Sequence, residues 1–247
     1  MIRLLLAAWL CASPALAQRS GYDDASAETR AMQDDDSANP GFLWVRHGEE
    51  LWSQPAGSSG KTCATCHNTP DTLRGVAARY PAWDATLARP IALLQRINRC
   101  RETHQGATAL APDNDMMLAL SALVGLQSRG MSVAITTDGP LVPFLADGAR
   151  LFRQRQGQLN LSCANCHDDR AGQRLGGSII PEGHANGYPQ YRLEWQGLGS
   201  FNRRLRSCLI GVRAEPYAPG AAEAVAIELY LARRAAGLMV ETPSVRP

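Results

Sequence analysis

The sequence predicts a mostly α-helical protein made of two tandem domains, related by internal duplication and carrying long irregular loops. The first reason is that the motif Cys-x-x-Cys-His occurs at residues 63–67 and again at 163–167, 100 residues apart. The second is that the longer apolar segments repeat at intervals of three and four residues, as helices do, and few alternate with the period of two typical of strands. A repeat at fixed spacing is most simply explained by duplication of one domain.

The same landmarks surround both copies of the motif. Gly48 and Gly148 lie fifteen residues before the first cysteine of each motif, and a leucine followed by an aromatic residue begins three residues after each glycine. Beyond each motif comes a lone cysteine, Cys100 or Cys208, in the loop before an apolar helical segment that ends at glycine. Because glycine commonly ends helices, the order helix, motif, lone cysteine, helix and glycine is predicted twice.

The boundaries of the helices and domains follow from this pattern. Helices are expected at residues 44–54, 84–100, 114–129, 144–157 and 220–236. The turn-rich residues 136–140 divide the chain into a first domain, 41–137, and a second, 138–247. The polar residues 18–40 are expected to form a loosely held N-terminal arm.

The first seventeen residues have the three parts of a secretory signal peptide. Arg3 gives a positive start, an apolar run covers residues 4–12, and Ala15 and Ala17 place small residues at the cleavage positions. The run is too short to cross a bilayer, which needs roughly 20 apolar residues. We therefore expect export to the periplasm, cleavage after Ala17 and no membrane span.

Composition excludes several classes of protein. The chain is 45% apolar, which is too much for a disordered protein, and its net charge of +2 gives no reason to expect nucleic acid as a partner. Seven cysteines in 247 residues are too few for a disulfide scaffold. Among the 25 basic residues only Lys61 is a lysine, so any anion site in this chain is built from arginine.

Cys-x-x-Cys-His is the attachment signature of c-type haem, in which two thiols bond to the porphyrin and the histidine ligates iron. A zinc site would need two further ligands near each pair, and a redox dithiol would need a βαβ context that the sequence lacks. We therefore expect two covalently bound haem c groups in two cytochrome c-like domains. The expected attachment cysteines and iron ligands are Cys63, Cys66 and His67 in the first domain, and Cys163, Cys166 and His167 in the second.

The second axial ligand of each iron is less directly encoded. The second domain has no methionine between its motif and its last helix, which leaves His184 and Cys208 as strong ligands. In the first domain the candidates are Cys100, His104, Met116, Met117 and Met131. Position before the last helix favours the two cysteines, although a disulfide between Cys100 and Cys208 is an alternative that an exported protein permits.

Arginines surround the second lone cysteine. Arg203, Arg204 and Arg206 precede Cys208, and Arg213 follows it. Positive charge favours thiolate over thiol, and guanidinium groups bind oxyanions through two parallel hydrogen bonds. The cluster therefore indicates either chemistry on an anionic substrate or a basic surface that docks an acidic partner.

At this point the chain resembles the SoxA family, the dihaem cytochrome c subunits of SoxAX complexes. The similarity extends over the mature chain. Besides the two haem motifs, its specific marks are RLRSC at residues 204–208, VRAEPY at 212–217 and ETPSVR at 241–246.

The resemblance implies an enzyme, an L-cysteine S-thiosulfotransferase. Such an enzyme oxidatively couples thiosulfate to a cysteine of the carrier protein SoxYZ and passes two electrons through haem to a c-type cytochrome. The monohaem cytochrome SoxX would complete the heterodimer. The resemblance further implies that His67 and Cys100 ligate the first haem, and that His167 and Cys208 ligate the second. Cys208 would also be the catalytic cysteine, carrying a persulfide, and Arg204 would hold the substrate.

Two other functions are compatible with two haem motifs. A dihaem cytochrome that only transfers electrons would have inert iron ligands and no role for the arginine cluster. A dihaem peroxidase would keep one haem open to peroxide, and a free thiolate beside that haem would be oxidised.

Overall fold

The computed structural model describes residues 18–247, so the predicted signal peptide lies outside the described residues. The α-helices, in chain order, are α1 (Ala27–Asp34), α2 (Phe42–Trp52), α3 (Ala64–His67), α4 (Leu93–Cys100), α5 (Asp115–Leu126), α6 (Val142–Arg153), α7 (Cys163–His167), α8 (Phe201–Gly211) and α9 (Ala222–Arg234). The strands are β1 (Ala82–Asp84), β2 (Arg89–Ile91), β3 (Arg174–Leu175), β4 (Ser178–Ile179), β5 (Gln190–Arg192), β6 (Gly197–Gly199) and β7 (Ser244–Arg246). Helices dominate and the strands are at most three residues long, which confirms the prediction of a mostly α-helical fold.

The strands form three small sheets that fix loops rather than build a layer. Strands β1 and β2 form an antiparallel hairpin, as do β3 and β4. In the third sheet β5 is central, antiparallel to β6 and parallel to β7, with Arg192 paired to Arg246. The segment that follows α9 therefore returns to the long loop between α7 and α8. Within residues 18–247, every helix is too short or too polar to cross a membrane.

Two pairs of helices cross at a glycine. Helix α2 packs on α5 at Gly48, where an added Cβ would lie 2.5 Å from the carbonyl oxygen of Ala119. Helix α6 packs on α9 at Gly148, where a Cβ would lie 2.1 Å from the carbonyl oxygen of Ala226. The two glycines that the sequence places before each motif therefore occupy matching crossings, which is what a duplication predicts.

The two halves of the chain share part of their core. One buried cluster joins Ala78 and Val133 of the first half to Leu229 and Ala232 of the second. The isolated β-bridge between Ser132 and Met239 lies beside this cluster. The halves are therefore packed against each other through apolar contacts, not merely linked in sequence.

The predicted helix at 84–100 is wrong over its first half. Residues 82–91 form the β1–β2 hairpin, and only Leu93–Cys100 is helical. The Asp84 carboxylate accepts hydrogen bonds from the backbone N–H groups of Thr86 and Leu87, a local turn that competes with helix. Pro90 further disfavours a helix interior at this point, because it has no N–H to donate.

The arm at residues 18–40 is also more ordered than expected. It contains α1, and the Asn39 side chain donates to the carbonyl oxygen of Pro243 at 2.9 Å. The Gln33 side-chain oxygen accepts from the Val245 N–H at 2.9 Å and from the Arg246 guanidinium at 2.6 Å. Because β7 needs these partners, the arm is part of the fold rather than loosely held.

The crossing at Gly148 gives a test of the fold. We expect Gly148→Ala to destabilise the protein by about 1–3 kcal/mol, because its Cβ would clash with a backbone oxygen that cannot move aside. Thermal unfolding of the haem-loaded protein, followed by circular dichroism, should show a melting temperature lower by several degrees.

The matched control is Gly211→Ala in α8, where no atom lies within 4 Å of the added Cβ. This change should leave the melting temperature equal or slightly higher, since alanine favours helix over glycine. Equal melting temperatures for the two variants would contradict the proposed tight crossing.

Candidate functional site

Two cavities each bring one motif together with one lone cysteine. The first cavity is lined by Cys63, Cys66, His67 and Cys100, and the apolar part of its wall includes Trp52, Leu73, Val76, Leu93, Ile97, Leu120 and Val124. The second cavity is lined by Cys163, His167 and Cys208 together with Phe152, Ile179, Tyr188, Phe201, Leu205, Ile227 and Leu231. Cys166 lies on the same helix turn as Cys163 but does not line the second cavity. The predicted attachment and ligand residues are thus brought together separately in each half.

Each motif forms one short helical turn. In the first, the N–H of His67 donates to the carbonyl oxygen of Cys63 at 3.0 Å. In the second, the Ser162 side chain caps α7 by accepting from the N–H of Asn165 at 3.3 Å. Residues three apart on a helix share a face, so the spacing places both thiols of a motif on one side.

An aromatic ring lies beside each motif histidine. The ring centroid of Trp52 lies 5.9 Å from that of His67, and that of Phe152 lies 6.5 Å from that of His167. Both aromatic residues sit four residues after the crossing glycines on α2 and α6. The landmark predicted from the sequence therefore has a structural role, because it packs against the histidine that should bind iron.

The His167 ring is oriented by the backbone. Its Nδ1 atom lies 2.7 Å from the carbonyl oxygen of Pro181. A hydrogen bond from Nδ1–H to a carbonyl fixes the tautomer in which Nε2 carries a lone pair, which is the arrangement that metal-ligating histidines use.

Both lone cysteines lie on helices; the sequence predicted a helix up to Cys100 but none at Cys208. Cys100 is the last residue of α4, and Cys208 lies inside α8. Helix α8 starts at a cap in which the Ser200 side chain accepts from the Arg203 N–H. Its buried residues are Phe201, Leu205 and Leu209, an apolar spacing of four that the dense arginines masked in the sequence.

The structure shows which of the candidate second iron ligands line each cavity. All six cysteines in the described residues are free, and Cys100 and Cys208 line different cavities, so they form no disulfide here. His104 lines the first cavity, but Met116, Met117 and Met131 do not. His184 lines the second cavity with its Nε2 atom 3.0 Å from a carboxylate oxygen of Glu182.

The cysteines of the two cavities differ in electrostatics. In the first cavity, burial raises the pKa of both Cys63 and Cys100. In the second, burial raises the pKa of Cys163 to about 11. Burial would also raise the pKa of Cys208, but the His167 ring and the positive charge of Arg204 outweigh it, and the pKa lies below its ordinary value. The second lone cysteine is thus the one whose surroundings favour thiolate.

The arginines near Cys208 do not act as one group. Arg204 lines the second cavity, and none of its side-chain nitrogens has a hydrogen-bond partner among residues 18–247. The Arg203 guanidinium stacks on the Trp195 ring at 4.2 Å, and Arg206 is exposed to solvent. Sequence reasoning missed Arg192, which also lines the cavity and reaches it from β5 rather than from the segment around Cys208.

Both cavities fit haem on grounds independent of the motif. Each has an extended apolar wall and a motif histidine, and each has a buried polar atom without a partner in the described chain. These atoms are Arg101 Nε and Gln105 Oε1 beside the first cavity, and His184 Nδ1 beside the second. Arg101 Nε is a buried donor, which is costly without a partner, and a propionate oxygen of haem would accept from it.

Comparison with known proteins agrees with this geometry. Residues 47–133 match the family model described as SoxA/TsdA, cytochrome c domain. Since such a domain carries covalently attached haem, the chain is a c-type haem protein.

Relatives cover most of the chain. It is 39% identical over 229 residues to the L-cysteine S-thiosulfotransferase subunit SoxA of Pseudaminobacter salicylatoxidans, a match that spans 92% of this chain and 80% of the relative. The corresponding subunit of Rhodovulum sulfidophilum is 38% identical, with the same coverage of both chains.

A solved structure shares the whole fold. The crystal structure of SoxXA from P. pantotrophus contains a chain that superposes with a TM-score of 0.90 at 35% identity, covering 93% of this chain and 87% of that one. Agreement in sequence over nearly the full length, and in fold, confirms the resemblance that the haem motifs and the segment around Cys208 suggested: the chain belongs to the SoxA family.

Proposed function

We propose that this chain is the catalytic dihaem subunit of a SoxAX complex, an L-cysteine S-thiosulfotransferase. The observation that carries the proposal is that one cavity combines a motif histidine, a cysteine inclined to thiolate and an unpartnered arginine: His167, Cys208 and Arg204. The cytochrome c relatives explain a haem protein, but only this combination explains chemistry on an anion such as thiosulfate.

Two haems, one in each domain, form the cofactor part of the proposal. Cys63 and Cys66 would attach the first haem, and His67 and Cys100 would ligate its iron; all four residues line the first cavity. The residues that would hold the second are Cys163, Cys166, His167 and Cys208. When bound, haem supplies the one-electron steps by which two electrons leave the reacting sulfur atoms. We assign residues 41–137 and 138–247 to the two domains, with the active site in the second.

The protein's own residues would bind and orient the reactants. Arg204 donates to the sulfonate oxygens of thiosulfate, and the terminal sulfur is thereby placed at the Cys208 sulfur. The carrier's cysteine enters the same cavity. Its S–H bond is broken, a bond forms between its sulfur and the terminal sulfur of thiosulfate, and one proton and two electrons are released. The apolar wall around Tyr188 and Phe201 excludes water, which strengthens the hydrogen bonds of the guanidinium to developing negative charge.

The setting of the reaction follows from the same proposal. The monohaem cytochrome SoxX is the partner subunit, SoxYZ supplies the carrier cysteine, and a c-type cytochrome receives the electrons. The protein acts in the periplasm after cleavage of the signal peptide behind Ala17.

The haem count is directly measurable. We expect the mature protein, produced in a host that assembles c-type cytochromes, to carry two haems that survive denaturing electrophoresis and stain for haem. Intact mass should exceed the polypeptide mass by two haem groups. A gain of one haem, or none, would contradict the proposal for two attachment sites.

Replacement of the second lone cysteine separates catalysis from haem attachment. We expect Cys208→Ala to abolish thiosulfate-dependent turnover while both haems stay attached, because the thioether bonds come from other cysteines. The neighbouring Ser207→Ala should retain turnover, since Ser207 is exposed and donates only to the Arg203 carbonyl oxygen. If Cys208→Ala retained thiosulfate-dependent turnover, the result would favour the alternative function, a dihaem cytochrome that only transfers electrons.

Arg204 is tested by its effect on substrate use. We expect Arg204→Ala to lower kcat/KM for thiosulfate by about 30- to 1000-fold, since a charge-assisted contact is worth about 2–4 kcal/mol in such a site. Arg204→Lys should recover only part of the loss, because lysine keeps the charge but lacks the planar fork.

Haem content and the thiolate-type spectrum should be unchanged in both Arg204 variants. Arg206→Ala, on the exposed face of the same helix, is the matched control and should have a small effect. Equal small losses at both positions, removed by added salt, would instead indicate a diffuse docking surface.

A further inference from the structure

A second arginine, Arg192, lines the second cavity from a different element than Arg204. Arg192 ends strand β5, and its side chain is only 10% exposed although it carries a charge. It lines the same cavity as Arg204 and Cys208, while Arg204 reaches that cavity from helix α8. Two different elements, a sheet and a helix, thus direct guanidinium groups into one space.

Arg192 is held rigidly by contacts on one side of its guanidinium. The Nε atom donates to a carboxylate oxygen of Glu194 at 2.7 Å. The guanidinium also lies over the Trp195 ring at 5.3 Å, and the same ring carries the Arg203 guanidinium at 4.2 Å. Arg203 is therefore part of the support for Trp195, and Arg192 is fixed in place before any ligand arrives.

The other side of the guanidinium is left free. The terminal nitrogens of Arg192 donate to no acceptor among residues 18–247, and the same holds for the whole Arg204 side chain. Burial lowers the pKa of Arg192, and the positive charge of Arg204 lowers it further, so the two groups repel each other. Arg192 is buried and Arg204 is half-buried, and two like charges placed in this way are stabilised when an anion binds between them.

A third arginine that lines this cavity, Arg246, differs from Arg192 and Arg204 because its guanidinium is paired within the protein. Arg246 pairs with Arg192 across the β5–β7 ladder and also lines the cavity. Its guanidinium donates to Gln33 Oε1 at 2.6 Å and to the Val245 carbonyl oxygen at 2.7 Å, and it forms an ion pair with Glu241. The Arg246 guanidinium therefore already has partners within the protein. Among residues 18–247, Arg192 and Arg204 are the two arginines of this cavity that keep N–H groups available to a ligand.

We propose that Arg192 and Arg204 together form a two-guanidinium site for the sulfonate end of the substrate, with Arg192 as a substrate-binding residue that the sequence motif does not contain. This inference rests on the proposed function for the identity of the substrate. A tetrahedral sulfonate offers three oxygens, and two planar forks approaching from different elements can bind them simultaneously. The remaining sulfur atom of thiosulfate is then directed at Cys208, and a spherical anion such as chloride cannot use both forks.

The experiment measures binding and turnover separately. Sulfate, a tetrahedral oxyanion that does not react, is titrated calorimetrically into the haem-loaded complex of this chain with its cytochrome partner, at ionic strength held constant with chloride. The variants are Arg192→Gln, Arg204→Gln, the double variant and the exposed control Arg206→Gln. The same preparations are assayed for kcat and KM with thiosulfate.

We expect Arg192→Gln to weaken sulfate binding at least 10-fold and to lower kcat/KM for thiosulfate by a similar factor. Arg192→Lys should recover part of both losses. The fold-loss of sulfate affinity in the double variant should be smaller than the product of the two single fold-losses, because both residues hold the same anion. Arg206→Gln should stay within twofold of the unmodified protein, and haem content should be equal in all variants.

Other outcomes overturn the inference. Unchanged sulfate affinity in Arg192→Gln, or losses that multiply fully in the double variant, would show that Arg192 is not part of the anion site. If Arg192→Gln does not assemble, Arg192→Lys decides alone, and sulfate affinity equal to that of the unmodified protein overturns the proposal. Sulfate binding through both arginines in a complex that does not couple thiosulfate would overturn the proposed function and leave the anion site standing.

Discussion

Backbone contact at two glycines sets the geometry on which both cavities depend. At Gly48 and Gly148 the helices of each pair approach so closely that no side chain fits between them. The aromatic residue one turn further along, Trp52 or Phe152, is thereby brought against the histidine of the motif. A single close crossing in each half therefore positions the aromatic wall, the histidine and the apolar face of the last helix together.

The two cavities share this scaffold but differ in how their arginines are neutralised. Near the first, the Asp84 carboxylate forms ion pairs with Arg96 at 3.0 Å and Arg99 at 3.1 Å, so these two arginines have a partner within the protein. Near the second, Arg204 has no such partner, and the cysteine there is the one inclined to thiolate. Two cavities with similar walls can therefore differ in the charge around their cysteines, with the difference made by a few charged side chains.

The sequence predicted what depends on local spacing and missed what depends on distant contacts. The helices around 44–54, 114–129, 144–157 and 220–236 were predictable because their apolar residues repeat with helical period, and the structure confirms them. Motif spacing likewise indicated which residues would meet in each cavity. The β1–β2 hairpin was missed because an aspartate turn interrupts an apolar pattern, and α8 because arginines crowd its exposed face. Arg192 could not be found, since only the pairing of β5 with β6 and β7 brings it near Cys208.

The strand β7 has a consequence for the order in which the protein assembles. It pairs with β5, and its Val245 N–H donates to the side-chain oxygen of Gln33 in the N-terminal arm, a residue 212 positions away in sequence. Closing so long a loop costs more conformational entropy than forming the helix pairs, whose contacts are more local. The contact between the arm and β7 should therefore form late, after both helix pairs. The sheet that carries Arg192 would then gain its last contacts only when the N-terminal arm meets the C-terminal strand.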